Sequence, residues 1–320
     1  MSNCFLVILL IIITPLQGIS TLPETLPLQP LSGGYAPTKN FLFEESGHCY
    51  VLRVKDPDEP SSLRKKEFFA LEEASKMGVC PQVHYLSEDF SFAVMDYVFE
   101  STLSLTQAKD LTCLISIARG FSKLHKMSKN PFIGESRTAL FLNAYHEIKD
   151  VSSSTELENA VKRLPKIQKA IMKYEDEFVM IHGDPHPRNL FLTGGQSLLF
   201  VDWEDVNWDD PCHDLSFFCL THDYTEEEEK LFLCHYLSKN PSSEFSQRYF
   251  LCKQANLIFL SICCMRMGLN LAQRLGQPLV SDSLLQDWSY YVKIWAENTE
   301  HSPQFLYDWG LCALKILKEI

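Results

Sequence analysis

Short runs rich in aromatic and β-branched residues alternate with polar turns in the first third of the chain. Residues 40–45 (NFLFEE) and 49–54 (CYVLRV) flank a Ser-Gly-His turn, and residues 82–98 contain two further runs around a second polar turn. Runs of this length and composition, bounded by turn residues, are typical of β-strands. The pattern therefore predicts two pairs of neighbouring strands.

A helical pattern separates the two pairs. Residues 61–78 have apolar residues at helical spacing, with Ser61 or Ser62 available as the N-cap and Gly78 as the stop. Strand, strand, helix, strand and strand together predict a small β-rich lobe that ends near Val98.

The rest of the chain is mainly helical in pattern. Two short apolar runs, NLFL and LLFVDW, interrupt it and predict strands. The helices are predicted at residues 105–127, 155–176, 212–221, 225–237, 246–275, 282–296 and 303–318. The fold class is therefore α+β, with a small β-rich lobe followed by a larger helical lobe. Acidic residues at the junction of the two lobes indicate a cleft between them.

The N-terminus has a different character. Residues 1–20 contain nine consecutive apolar residues, Phe5 to Ile13, which is short of the roughly 20 residues that span a bilayer. The length suits a signal-peptide core, although no basic residue precedes it. Signal peptide, anchor and wrongly assigned start codon all stay open. Residues 21–31 are Pro-rich without periodicity and predict an extended tether.

These patterns divide the chain into a leader at 1–20, a tether at 21–31, an N-lobe at 32–98 and a C-lobe at 99–320. Composition adds a net charge of −12, which argues against a nucleic-acid binder, for which a basic surface is expected. The 11 cysteines include no CxxC pair, so buried free thiols in a reducing compartment are the default interpretation.

The stretch IHGDPHPRNLFL concentrates residues that carry chemistry. His182 and His186 are four apart, but Pro185 and Pro187 prevent the helix that would place both on one metal. No third His or Cys stands at zinc-ligand spacing, and the G-x-S-x-G element of serine hydrolases is absent. Zinc and nucleophilic-serine chemistry are therefore disfavoured.

Phosphoryl transfer fits the same residues better, because it needs one carboxylate base and hard oxygen ligands for Mg²⁺. Asp184 can be the base. Asn189 lies at the end of the same loop, and Asp202 ends the next predicted strand. A hairpin of these two strands would bring Asn189 and Asp202 side by side.

HGDPHPRN, FVDWED and DDPCHDLSFF together resemble the catalytic segments of the aminoglycoside phosphotransferase and choline kinase superfamily. The resemblance implies a two-lobed, protein-kinase-like fold, Asp184 as the catalytic base, and Asn189 and Asp202 as Mg²⁺ ligands. It also implies that Glu204 lies near the metal or a basic substrate and that Asp214 braces the catalytic loop.

The same resemblance extends to a nucleotide clamp in the first lobe. A glycine-containing turn would approach the phosphates, an arginine stands where many kinases carry lysine, and a helical glutamate would pair with it. The backbone of AVMDYV would hold adenine. The residues so assigned are Gly33, Gly34, Arg53, Glu67, Met95 and Tyr97.

The segment after the second predicted metal ligand indicates the kind of acceptor substrate. No long activation loop separates VDWED from DLSFF, which favours a small molecule over a protein. Carboxylates and an aromatic helix face could bind a cationic group, although core packing is the favoured explanation of the aromatic face. The candidate substrate residues are Glu204, Asp210, Trp288, Tyr291 and Trp295, with Asp205 as a further carboxylate.

The sequence thus predicts an ATP-dependent, Mg²⁺-requiring phosphotransferase that acts on a small cationic alcohol of the choline, ethanolamine or thiamine type. The alternatives are an aminoglycoside-type antibiotic phosphotransferase and a catalytically silent, kinase-like binding protein. ATP use favours a cytoplasmic location, whereas the apolar leader favours export or anchoring. Membrane contact is expected only through residues 1–20, no nucleic-acid partner is expected, and the oligomeric state stays open.

Overall fold

The computed structural model describes residues 27–31, 38–134, 136–152, 154–280, 284–298 and 300–320. The predicted leader at 1–20 lies outside the described residues, and so does the Gly33–Gly34 turn.

An antiparallel sheet of five strands forms the N-terminal part, in the order β1-β2-β3-β5-β4. The strands are β1 Gln29–Leu31, β2 Lys39–Glu45, β3 His48–Val54, β4 Val83–Leu86 and β5 Phe92–Asp96. Ser46 and Gly47 both have positive φ angles, 51° and 80°, which suit the tight turn between β2 and β3. The predicted strands are confirmed, and part of the expected tether forms the edge strand β1.

Helix α1, Ser61–Met77, packs on the sheet through Phe68, Leu71 and Ala74. Gly78 adopts the left-handed conformation (φ 63°) and ends the helix as predicted. The predicted serine cap is wrong, because Pro60 occupies the N-cap position and no side chain caps the helix.

Ten further helices make up most of the C-terminal part of the described chain. They are α2 Leu105–Lys109, α3 Leu111–Leu124, α4 Arg137–Ser152, α5 Thr155–Val161, α6 Leu164–Ile171, α7 Cys212–Thr221, α8 Glu226–Leu237, α9 Ser243–Leu275, α10 Trp288–Glu297 and α11 Pro303–Glu319. Helix α9 lies at the centre and contacts α4, α7 and α11. It is also the one described helix long and apolar enough to cross a bilayer, and 61% of its most apolar stretch is buried in the protein.

Two predicted helices are broken in the structure. The expected helix at 105–127 divides at Asp110, which has an extended backbone and accepts hydrogen bonds from the N–H groups of Thr112 and Cys113. Its side chain starts a new helix instead of continuing the old one. The expected helix at 155–176 divides into α5, α6 and a 3₁₀ segment, Met172–Glu177.

Two small antiparallel pairs carry the catalytic segment. Strands β7 Leu190–Thr193 and β8 Ser197–Phe200 form the predicted hairpin, in which Leu190 pairs with Phe200. Strands β6 Val179–Ile181 and β9 Asn207–Asp209 form the second pair. Because β6 pairs with β9, the segment that follows β6 and the segment that precedes β9 start from neighbouring positions. This brings residues 182–189 close to residues 201–206.

Helices α9 and α11 approach closely at glycines, which generates a prediction about stability. A Cβ on Gly310 would lie 2.5 Å from Met265 Cγ and 2.9 Å from the carbonyl oxygen of Ser261. We expect Gly310→Ala to lower the free energy of unfolding by about 1–3 kcal/mol through overpacking. Urea unfolding measures this, with Gly134→Ala as the control because its Cβ would meet nothing within 4 Å. An unchanged midpoint for Gly310→Ala would contradict the packing described.

Candidate functional site

A cavity of about 760 Å³ lies between the N-terminal sheet and the helical part. Its sheet end is lined by residues that include Val51, Arg53, Met95, Tyr97 and Phe191. Its helical end is lined by residues that include Phe259, Cys263, Met267, Trp295 and Trp309. Between the two ends lie Asp184, Asn189, Asp202, Glu204 and Asp205. The predicted catalytic residues therefore share one cleft with both ends.

The loop that carries Asp184 is held by one buried carboxylate. Asp214, at the start of α7, accepts hydrogen bonds from the backbone N–H groups of His182 at 2.7 Å and Gly183 at 2.9 Å. His125 lies 3.2 Å from the same carboxylate through Nε2, and its Nδ1 lies 2.8 Å from the hydroxyl of Tyr236. Burial raises the pKa of Asp214, but these partners outweigh it and hold the pKa below its ordinary value.

Only glycine fits at position 183, where the loop that carries Asp184 passes close to the segment that follows β8. Its φ is +89°, and a Cβ at this position would lie 2.2 Å from the carbonyl oxygen of Asp205. Arg137 of α4 donates to the Gly183 carbonyl oxygen at 2.8 Å. Glycine, arginine and carboxylate together fix the backbone immediately before Asp184.

Asp184 and Asn189 are joined by hydrogen bonds. The Asn189 Nδ2 donates to the Asp184 carbonyl oxygen at 3.1 Å and to its Oδ2 at 3.2 Å, which leaves the Asn189 Oδ1 as the oxygen able to bind a metal. His186 lies 3.4 Å from the same Oδ2 through Nε2. Burial and the charge of Arg188 lower the pKa of His186 to about 3, so His186 is neutral at pH 7.

Asp202 joins the catalytic segment to the sheet. It has φ 66° and ψ 72°, a left-handed conformation that is uncommon outside glycine and frequent at functional sites. Its Oδ1 lies 2.7 Å from Arg53 Nη2, while Arg53 Nε lies 2.6 Å from Glu67 Oε1. Lys55 takes the other Glu67 oxygen at 2.6 Å. The expected pairing of Arg53 with Glu67 is present, and it extends across the cleft.

Four carboxylates crowd the middle of the cleft. Burial, followed by the charges of Asp205 and Asp202, raises the pKa of Asp184 well above its ordinary value. Burial and the same two neighbours raise the pKa of Glu204 to about 7. Burial would also raise the pKa of Asp202, but Arg53 lowers it below the ordinary value, so Asp202 is ionised. The local excess of negative charge favours the binding of a cation.

The residues present fit Mg²⁺. Asn189 offers an amide oxygen, Asp202 offers the carboxylate oxygen that does not contact Arg53, and both are hard ligands. Within the described ranges, no group of three or more His, Cys, Asp or Glu side chains is placed to hold a metal ion by itself. A two-residue set needs further oxygens from water or phosphates, as Mg²⁺ sites commonly do.

The sheet end provides an apolar slot beside backbone groups. Met95 of β5 is buried, and Tyr97, which directly follows β5, lines the same wall together with Val51 and Phe191. The Tyr97 N–H already donates to the Cys49 carbonyl oxygen at 3.1 Å. Both Met95 and Tyr97 therefore lie where the sequence predicted them, at the wall of the cleft.

Three predicted substrate residues do not reach the cavity. Asp210 is fully buried and forms an ion pair with Arg248, at 2.8 Å to Nε and 2.7 Å to Nη2. Trp288 donates from Nε1 to the Leu220 carbonyl oxygen at 3.0 Å, and Tyr291 is 2% exposed in the core. Their assignment to the substrate is corrected to structural roles. Glu204 and Trp295 do line the cavity, as expected.

Three residues of the site were not predicted from the sequence. Lys55 stands two residues beyond Arg53, so strand periodicity places both on one face and could have found it. Arg188 lies inside the catalytic motif, and its guanidinium is 4.1 Å from the centroid of the Trp295 ring. Arg137 belongs to α4, a helix that was not predicted, and no signal in the sequence indicated it.

Comparison with known proteins identifies the class. The family model described as the phosphotransferase enzyme family (APH) matches residues 27–241, more than half of the chain. The chain therefore belongs to this phosphotransferase family, as the catalytic segments predicted. No curated protein matches the chain.

Solved structures share the fold at low sequence identity. A choline/ethanolamine kinase family protein from Mesorhizobium loti is 20% identical, with 94% of this chain and 95% of that chain covered and a TM-score of 0.59. The choline kinase of Cryptosporidium parvum Iowa II is 13% identical, with 98% and 94% covered and a TM-score of 0.64. The streptomycin-ATP-APH(2")-IIa complex is 16% identical, with 78% and 88% covered and a TM-score of 0.53. These similarities confirm the two-lobed, kinase-like α+β fold.

The role of Asp214 generates a second prediction. Removing the carboxylate in Asp214→Ala leaves the N–H groups of His182 and Gly183 without their buried acceptor. We expect the free energy of unfolding to fall by about 2–5 kcal/mol, since each unsatisfied buried group costs on the order of 1–3 kcal/mol. Urea unfolding measures the loss, and Asp176→Ala, at an exposed position, is the control. Equal stability of the two variants would show that Asp214 does not hold the loop.

Proposed function

We propose that this phosphotransferase transfers the γ-phosphate of ATP to the hydroxyl group of a small molecule. The observation that carries the proposal is the convergence of Asp184, Asn189 and Asp202 in one cleft, with Arg53 bound to Asp202 at 2.7 Å. In this proposal the N-lobe is residues 32–98 together with the edge strand β1, Gln29–Leu31, and the C-lobe is residues 99–320, with the reaction between them.

Asp184 is the catalytic base of this proposal. Its loop backbone is fixed by Asp214 and by the requirement for glycine at position 183, so its carboxylate has a defined position in the cleft. The base orients the acceptor hydroxyl for in-line attack and accepts its proton as the new O–P bond forms. Asn189 holds the carboxylate through Oδ2, which restricts its rotation.

The nucleotide occupies the sheet end. Adenine lies beside Met95 and Tyr97, and the phosphates lie near Arg53, with the Gly33–Gly34 turn as the further phosphate-binding element. Asn189 and Asp202 bind Mg²⁺, which supplies positive charge to the transferred phosphate when bound. Glu67 and Lys55 hold Arg53 in place, since both oxygens of Glu67 are paired.

An amine-bearing alcohol of the choline, ethanolamine or thiamine type is the acceptor that we propose. Glu204 and Asp205 line the cavity next to Asp184 and provide the negative charge that a cationic group needs. Two of the similar structures are a choline/ethanolamine kinase family protein and a choline kinase, which supports this class. Among the described residues of the helical end, Glu297 is the one carboxylate, whereas a multiply aminated antibiotic calls for several. The aminoglycoside alternative is therefore the second choice.

A phosphate-transfer screen with γ-labelled ATP tests the function. The purified protein is incubated with Mg²⁺ and choline, ethanolamine, thiamine or an aminoglycoside, and the labelled product is separated. Transfer to an amine-bearing alcohol supports the proposal. Absence of transfer together with absence of Mg-ATP binding would favour the catalytically silent binding protein. Because the reaction uses ATP, we propose a cytoplasmic location.

The assignment of the base is tested by Asp184→Asn. The variant keeps the size of the side chain but cannot accept the proton, so kcat is expected to fall by about 10²- to 10⁴-fold. Binding of Mg-ATP, measured by calorimetry, should be little changed. Asp58→Asn, at an exposed turn, is the control. A kcat close to the wild-type value in Asp184→Asn would exclude Asp184 as the base.

The assignment of the metal ligand is tested by Asp202→Ala. We expect the Mg²⁺ concentration for half-maximal activity to rise by about 100-fold or more, since even the loss of an outer-shell partner costs about 10- to 100-fold in metal affinity. Glu67→Gln is the matched control, because it disturbs Arg53 from the other side and leaves the proposed ligands intact. If Asp202→Ala keeps the Mg²⁺ dependence of the wild type, as the control Glu67→Gln is expected to do, Asp202 is not a ligand.

A further inference from the structure

The peptide group between Gly183 and Asp184 is held at both of its ends. Arg137 of α4 donates from Nη2 to the Gly183 carbonyl oxygen at 2.8 Å, and the Asp184 N–H donates to His182 Nδ1 at 3.3 Å. A peptide group is planar, so its oxygen and its nitrogen turn together. The bond from Arg137 is the shorter of the two and has a charged donor, which makes it the stronger one. The orientation of this plane is therefore set mainly by Arg137.

Asp214 supports a different part of the loop. Its hydrogen bonds reach the N–H groups of His182 and Gly183, both of which precede the Gly183 Cα. Glycine restricts the rotation of its backbone bonds less than any other residue type. The peptide plane before Gly183 and the plane after it therefore need separate supports. Asp214 supports the first plane, and Arg137 supports the second, which contains the backbone nitrogen of Asp184.

Arg137 is buried with uncharged acceptors. The residue is 4% exposed, and its acceptors among the described residues are the Gly183 carbonyl oxygen and, at 3.5 Å, the Asn256 Oδ1. Its Nε has no acceptor among the same residues. By contrast, the buried Arg53 and Arg248 both pair with carboxylates. A buried charge without an opposite charge costs stability, so stabilisation of the fold alone does not account for Arg137.

Two aromatic rings hold the guanidinium in place. Its carbon lies 5.0 Å from the ring centroid of Phe141 and 5.3 Å from that of Phe259, and the two rings stack on each other at 4.3 Å. Contacts of this kind offset part of the lost hydration of the cation and leave its N–H groups able to donate. Phe259 also lines the cavity. The guanidinium therefore contacts both a ring of the cavity wall and the loop that carries Asp184.

We propose that Arg137 is a positioning residue of the phosphoryl transfer, which fixes the Gly183–Asp184 peptide plane and thereby the direction in which the Asp184 carboxylate faces the acceptor. The inference rests on the proposed function and goes beyond it, because it gives a role in the reaction to a residue outside the catalytic segments. Arg137 does not contact the substrate in this proposal and acts only through Asp184. A displacement of about 1 Å at a reacting group can cost about 10²-fold in rate, so the support of this plane affects kcat.

Arg137→Met tests the proposal, because it keeps a long side chain and removes the charge and the donor. Transfer is measured with γ-labelled ATP and whichever of choline, ethanolamine and thiamine accepts phosphate. We expect kcat per folded molecule to fall by about 10- to 100-fold, whereas the Kd of Mg-ATP, measured by calorimetry, is little changed. Arg137→Lys restores a charged donor and should recover part of kcat. Arg119→Met, at an exposed position of α3, removes the same charge and is the control.

A double variant separates positioning from a structural role. Asp184→Asn has no base to position, so the addition of Arg137→Met should change its residual kcat little. A structural role would instead lower kcat by the same factor in both backgrounds. If Arg137→Met does not fold, Arg137→Gln replaces it in every measurement, because its neutral side chain is too short to make the same contact.

Hydrogen exchange gives a readout that does not depend on turnover. In the unliganded protein, Arg137→Met should accelerate the exchange of the Asp184 amide more than that of the amides of β6, the strand that precedes the loop. Equal acceleration of both would indicate a general loss of stability and would contradict the proposal.

Three results would overturn the inference. They are a kcat of Arg137→Met close to that of the wild type, an equal loss of kcat in both backgrounds, and an unchanged exchange rate of the Asp184 amide. Failure of the proposed function looks different, because the wild type would then phosphorylate none of the acceptors. In that case hydrogen exchange alone decides. Selective acceleration at Asp184 supports the role of Arg137 in holding the plane, and unchanged exchange rejects it.

Discussion

The pairing of Arg53 with Glu67 and Asp202 is the interaction on which the site depends. One guanidinium reaches from β3 to a glutamate on α1 and to an aspartate in the opposite lobe, at 2.6 and 2.7 Å. Removal of one partner from a buried ion pair costs about 3–5 kcal/mol, because the other charge is left uncompensated. Lys55 adds to this arrangement by binding the second oxygen of Glu67. The sheet, the helix and the segment that carries Asp202 are thereby held in one arrangement around the cleft.

The backbone geometry of the loop that carries Asp184 is a second constraint on the site. Asp214 holds two consecutive N–H groups, and Gly183 passes the Asp205 carbonyl where no side chain fits. These contacts bring Asp184 close to Asp202, Glu204 and Asp205, where burial and then the repulsion between like charges raise the pKa values of Asp184 and Glu204. A bound cation would relieve this repulsion, so the crowding that costs stability also favours the binding of a cation, as proposed for Mg²⁺.

Much of the fold and the order of the candidate site segments could be predicted from the sequence, because the sequence signals for them are local. The strands around Ser46 and Gly47, the glycine stop of α1 and the order of the catalytic segments depend on residues close in the chain. The errors concern partners that are distant in the chain. Asp210 was assigned to the substrate, but Arg248 neutralises it 38 residues later. The aromatic face of α10 contains core residues as well as Trp295, and periodicity cannot distinguish a core from a cavity wall.

A crystal structure of the protein with Mg²⁺ and a non-hydrolysable ATP analogue tests the central claim most directly. We expect a metal ion bound to the Asn189 Oδ1 and to an Asp202 carboxylate oxygen, with the terminal phosphate facing Asp184 and the adenine beside Met95. A nucleotide bound elsewhere, or a metal that contacts neither Asn189 nor Asp202, would contradict it.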